Sequence, residues 1–195
     1  MTRALVAGAL GLLLTLVGSA VGHEVQYSAH LTGPNEAPPN GSPGVGDALV
    51  TVDLDLVTMR VEASFTGLTG TTTASHIHGL TAQPFTGTAS VATVTPTFTN
   101  FPLGVTSGTY DFTYDMTQAS SYNSSFITAS GGTVSQAFNA LLNGLDTGRT
   151  YFNIHTSTFG AGEIRGFLVP VPEPASAATL VGAVGLTALR RRRRN

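Results

Sequence analysis

Between residues 24 and 169 the chain carries a series of short segments in which apolar and polar residues alternate with a period of two, and this pattern limits the fold more than any other feature of the chain. Val25, Tyr27, Ala29 and Leu31 alternate with Glu24, Gln26, Ser28 and His30. Ala48, Val50, Val52 and Leu54 alternate with Thr51 and Asp53, and Met59, Val61, Ala63 and Phe65 with Arg60, Glu62 and Ser64. Successive side chains of a strand point to opposite faces, so each segment reads as a strand with one buried face. A short turn joins the second segment to the third, which predicts a hairpin. Further strands are expected at Thr72 to His78, Thr88 to Thr95, Gly108 to Met116, Thr150 to Thr156 and Glu163 to Val169, eight in all.

Charged residues make up only 10% of the chain and Gly accounts for 23 positions, which suits strands joined by many turns better than helices with solvated faces. One stretch breaks the period. Val134, Phe138, Leu141, Leu142 and Leu145 recur at helical spacing, which predicts a short helix that Gly144 stops and that covers an open edge or end of the sheets. Thr117 to Gly132, rich in Ser, Thr and Gly, is expected to be loop. The pattern predicts an all-β fold, an antiparallel β-sandwich or flattened barrel of about eight strands with one short helix.

The two ends have a different composition. Residues 1–22 hold one basic residue (Arg3), an apolar run from Ala4 to Val17 and small residues at Gly18, Ser19, Ala20 and Gly22, the layout of a cleavable secretory signal. Cleavage by signal peptidase is expected after Ala20 or Gly22; the second cut would make His23 an N-terminal residue able to chelate copper. From Pro170 onward, Val171, Pro172, Glu173 and Pro174 form a rigid stretch, Ala175 to Leu189 is apolar and uncharged, and Arg190, Arg191, Arg192, Arg193 and Arg194 follow. Fifteen helical residues span roughly 22 Å, short of a bilayer core unless the arginines snorkel, and the arginine block would stay cytoplasmic.

This three-part tail, residues 171–195, closely resembles the PEP-CTERM sorting signal. The resemblance implies recognition and cleavage by an exosortase, a transient inner-membrane anchor, and delivery to the cell surface or extracellular matrix. A plain tail anchor is the alternative, and in either case the domain of residues 23–170 faces outward. That domain carries three arginines against ten carboxylates, about −7, a balance that repels phosphate backbones and argues against nucleic-acid binding. No cysteine is present, so disulfides and thiolate metal sites are excluded.

Three motifs in the domain resemble the CHRD family, the module named for chordin and common in bacterial secreted proteins. The first is Leu31-Thr32-Gly33-Pro34-Asn35-Glu36-Ala37-Pro38-Pro39 with Gly44, Gly46 and Ala48 following. The second is His76-Ile77-His78-Gly79, after the Gly67-Leu68 turn, and the third is Tyr151-Phe152-Asn153-Ile154-His155-Thr156 with Gly162-Glu163-Ile164-Arg165-Gly166. They cover about residues 24–169 in the family's order, with the stretch Ala82 to Pro102 departing from it. The resemblance implies an Ig-like or superoxide-dismutase-like sandwich and no established catalytic activity.

Residues i and i+2 of a strand share a face, so His76 and His78 project together, and His155 on another strand is the natural third imidazole of a three-His copper or zinc site. The alternative is a hydrogen-bonded polar layer of His76, His78, Asn153, His155, Glu163 and Arg165. If the last two strands pair around Ser157 to Gly162, residues whose numbers sum to about 318 face each other, setting Asn153 against Arg165 and His155 against Glu163. Serine hydrolysis has no support: there is no G-x-S-x-G elbow, and Ser75 and His76 point to opposite faces. Two functional readings follow. One is a surface or matrix protein whose non-catalytic domain binds an extracellular polysaccharide or a surface protein; the other is a metal-binding protein or metal-dependent enzyme using the three histidines.

Overall fold

A computed structural model describes residues 23–172, so the leader, Glu173, Pro174 and the arginine cluster lie outside the described residues. Its strands are β1 (Glu24–Thr32), β2 (Val45–Asp53), β3 (Thr58–Thr66), β4 (Thr72–Gly79), β5 (Gly108–Asp115), β6 (Thr150–Thr156), β7 (Ile164–Phe167) and β8 (Val169–Pro170). They form one antiparallel sheet in the order β4-β6-β7-β1-β2-β3-β5, with β8 paired to β1. The sheet curls into a half-barrel whose flanks face each other across a shared core, the two layers of an all-β sandwich.

The β1-β2-β3-β5 flank follows the alternation closely. Its ladders run without a break, from Glu24↔Asp53 to Thr32↔Val45 and from Val45↔Thr66 to Asp53↔Thr58, so the hairpin of β2 and β3 forms as the pattern predicts. Tyr27, Leu31, Val50, Val52, Met59, Val61 and Phe65 all point inward and are buried. Register is this regular because a one-residue slip would turn every one of those side chains to water.

The β4-β6-β7 flank differs. Both of its faces are covered, one by the core through Ile77, Phe152, Ile154 and Ile164, the other by chain segments that cross over the histidine side. The last expected strand is split: Leu168 turns fully into the core between β7 and β8, and its N–H bonds Thr150.

Thr88 to Thr95, expected as a strand, is not one. It runs beside the free edge of β4 with only isolated bridges, His78↔Val91 and Thr93↔Tyr122. Pro96 and Pro102 supply no N–H and bar a continuous ladder through this region. Threonine hydroxyls take over as acceptors for the β4 edge, with the N–H of Ile77 donating to Thr93 Oγ1 and that of Ser75 to Thr97 Oγ1. The backbone donors of β4 are thereby satisfied without a neighbouring strand. Beyond Pro96 the segment crosses toward β5, dropping Phe98 into the core against Phe152 and Tyr110, while Thr99 bonds the hydroxyls of Tyr110 and Tyr114.

The helical spacing is realised as α2 (Val134–Asp146), with Ala137, Leu141 and Leu145 buried and Thr133 capping its start. Gly144 does not stop it. That residue lies inside the helix, where a Cβ would collide with Leu80 and Thr150, and the chain leaves the helix at Gly148, whose φ of +65° suits glycine. Close packing, not termination, accounts for Gly144. A second helix, α1 (Ser124–Ala129), stands in the expected loop, its N-terminus capped by Asn123. Among the described residues no helix is long and apolar enough to cross a membrane.

Candidate metal centre

Strand pairing places the site. In the β4–β6 ladder Ala74 faces His155, His76 faces Asn153 and His78 faces Tyr151, and in the β6–β7 ladder Asn153 faces Arg165. Directly paired residues share a face, so His76, His78, Tyr151, Asn153, His155 and Arg165 stand together on the side of the sheet away from the core. One ligand nitrogen from each of His76, His78 and His155 lies within 4.8 Å of the other two. Their ring centroids are 5.4 to 5.8 Å apart.

Each imidazole is oriented by a backbone carbonyl. His76 Nε2 is 2.6 Å from Pro96 O, His78 Nδ1 is 2.9 Å from Ala89 O and His155 Nδ1 is 3.0 Å from Gly160 O. A carbonyl only accepts, so these nitrogens carry the protons and the opposite ones hold bare lone pairs. Those opposite atoms, His76 Nδ1, His78 Nε2 and His155 Nε2, are buried and have no partner in the protein. A buried lone pair without a partner is costly, and three of them in one place form a preformed donor set. Metal-bound histidines usually donate their second N–H to a carbonyl or carboxylate, which is the arrangement here.

The electrostatics keep the rings neutral. Burial pushes His78 down to about 4, with the Ala89 carbonyl opposing and the charges of His155, His76 and Arg165 adding to the fall. Burial also lowers His76 and His155. At neutral pH all three are unprotonated and able to act as ligands.

Asn153 and Arg165 belong to an adjoining network. Asn153 Nδ2 donates to Glu36 Oε1 at 2.7 Å, and Arg165 Nε lies 3.8 Å from Glu36 Oε2. The same guanidinium bonds the carbonyls of Asn35 and Gly87 and sits 4.6 Å from the centroid of Tyr151, whose ring stacks on His78. Burial raises Glu36 to about 7, against the opposing pull of Arg165 and Asn153. Sequence reasoning assigned no role to Glu36 or Tyr151. The signal was present for both: Glu36 lies in the opening motif, and Tyr151 shares the face of Asn153 and His155.

Glu163 stands apart from the histidines, a correction to the expected pairing with His155. The β6–β7 ladder ends at Ile154↔Ile164, and Gly162, with φ +133°, redirects the chain before it. The Glu163 carboxylate accepts from Ser42 Oγ, Thr156 Oγ1 and the N–H groups of Thr69 and Gly70. Thr156 shares its face with Phe152 and Ile154, so Glu163 braces the core side of the sheet. His23 is distant from the site, with its ring beside Asp55.

The fold and this arrangement define an all-β domain with three histidines gathered on the polar face of one flank of its sheet. Residues 27–168 match the family model of the CHRD domain, and the chain belongs to that family. Nothing among the curated proteins and nothing among the solved structures matches it.

Proposed function

We propose that this is an exported, non-catalytic surface or matrix protein whose CHRD domain holds one transition-metal ion, copper or zinc, on His76, His78 and His155. One observation carries the reading: three buried imidazole nitrogens without partners converge, each on a ring whose other nitrogen is fixed by a carbonyl. The donor chemistry suits both metals, since imidazole is a favoured ligand of copper and of zinc. No Asp, Glu or Cys among the described residues joins the three rings, so the set offers neutral nitrogen donors alone.

The leader and the Pro172-Glu173-Pro174, apolar and five-arginine tail support export through signal peptidase and sorting by an exosortase, with extracellular polysaccharide or a surface protein as the eventual neighbour. Elemental analysis of the purified protein after equilibration with copper and zinc tests the metal reading. One equivalent of metal, lost in a His76→Ala/His78→Ala double variant that keeps its β-sheet circular dichroism, is the expected result. Less than a tenth of an equivalent of either metal on the unaltered protein, by order of magnitude about what surface adsorption leaves, would refute it.

A further inference from the structure

The charge and the number of donors of the three-histidine centre bear on which ion it takes, an inference that rests on the metal-binding reading above. Neutral imidazoles contribute no negative charge. Among the described residues no Asp, Glu or Cys joins them. The two buried carboxylates of this flank are engaged elsewhere, Glu163 by Ser42, Thr156, Thr69 and Gly70, and Glu36 by Asn153 and Arg165. The charge that does approach is positive: from the β7 side Arg165 lies 4.6 Å from the centroid of Tyr151, and from the β4 side His78 stacks on the same ring at 4.8 Å.

The cost of moving an ion out of water grows as the square of its charge, so a dication is penalised about four times as heavily as a monocation. An anionic ligand normally offsets that cost, and this site has none. Coordination number acts in the same direction. Among the described residues the centre offers three donors and no fourth, whereas zinc in structural sites is almost always held by four protein ligands. A monovalent d10 ion is satisfied by three nitrogens in a plane. With metal–nitrogen bonds of about 2.0 Å such a plane needs nitrogens about 3.5 Å apart. Nitrogens now within 4.8 Å of one another reach that spacing by small ring rotations.

We infer that the centre of His76, His78 and His155 selects Cu(I) over Zn(II) and Cu(II). The test is an anaerobic titration of the purified protein with Cu(I) buffered by a chromophoric chelator, with Ag(I) as a redox-inert monovalent competitor, and parallel titrations with Zn(II) and Cu(II). The expected result is one equivalent of Cu(I), displaced by Ag(I), bound at least about tenfold more tightly than Zn(II), a difference of about 1.4 kcal/mol. His155→Gln should weaken Cu(I) by a comparable factor. X-ray absorption on the Cu(I)-loaded unaltered protein keeps the inference falsifiable if that variant does not fold: three nitrogen neighbours are expected, and a four-coordinate shell overturns it. Zn(II) bound as tightly as Cu(I) or more tightly overturns the inference and leaves the metal-binding reading intact. Failure of every ion to bind overturns both.

Discussion

Glu163→Gln isolates the contribution of a carboxylate that sequence patterning assigns to the wrong face. The side chain is fully buried, and its two oxygens share four donors: Oε1 accepts from Ser42 Oγ and the Thr69 N–H, Oε2 from Thr156 Oγ1 and the Gly70 N–H. Gln keeps the shape but replaces one acceptor oxygen with an NH₂ group. Whichever oxygen is replaced, one hydroxyl can rotate to accept, but one backbone N–H is left facing a donor. An unsatisfied buried donor costs about 1–3 kcal/mol, and losing the charge from the remaining bonds costs about 1–2 kcal/mol more. The sum, about 2–5 kcal/mol, is a large part of the 5–15 kcal/mol that holds a typical domain together. Urea unfolding followed by circular dichroism should show the midpoint falling with an unchanged slope, and the melting temperature should drop by roughly 5–15 °C. A loss below about 0.5 kcal/mol, the usual size of a neutral surface change, would refute the reasoning and mean that the four bonds are not made in solution.

The pH profile of metal-free protein should show two opposed contributions. His78, held down to about 4, binds a proton more readily unfolded than folded, so its contribution is complete above about pH 6.5 and is lost as pH falls toward 4. Glu36, raised to about 7, acts the other way, and stability falls as pH rises from about 4.5 through 7. Glu36→Gln should therefore steepen the rise in urea-unfolding free energy between pH 5 and 6.5 by about 1 kcal/mol per pH unit, and an unchanged slope would show that Glu36 ionises normally. Phe98→Ala removes the fully buried ring that the chain inserts between Phe152 and Tyr110, and calorimetry should register a loss of about 3–5 kcal/mol, whereas a loss under 1 would place the ring outside the core. Intact-mass measurement of the surface-released protein should find its start near Val21 or His23 and its end between Pro172 and Ala175; a product still carrying Arg190 to Arg194 would rule out processing.

The strands of the β1-β2-β3-β5 flank were legible in the sequence because each has one wet face, and a two-residue period read from Val25 to Leu31 or from Met59 to Phe65 states which side is buried. The same period joined His76 to His78, and hairpin arithmetic set Asn153 against Arg165, since both depend only on local geometry. The sequence alone did not separate a stop from a contact at Gly144, because a glycine reads alike when it ends a helix and when it makes room for Leu80. It marked Thr88 to Thr95 as a strand, since the period cannot register that Pro96 breaks the ladder and that threonine hydroxyls stand in for it. Glu163 followed the same logic to the wrong face, where the tertiary structure supplies Ser42, Thr69 and Gly70 from distant parts of the chain. The candidate centre itself divides in this way. Residue identity supplied three imidazoles, but which nitrogen of each is free was decided by the carbonyls of Ala89, Pro96 and Gly160, which reach the rings only when the segments that bear them fold over the sheet.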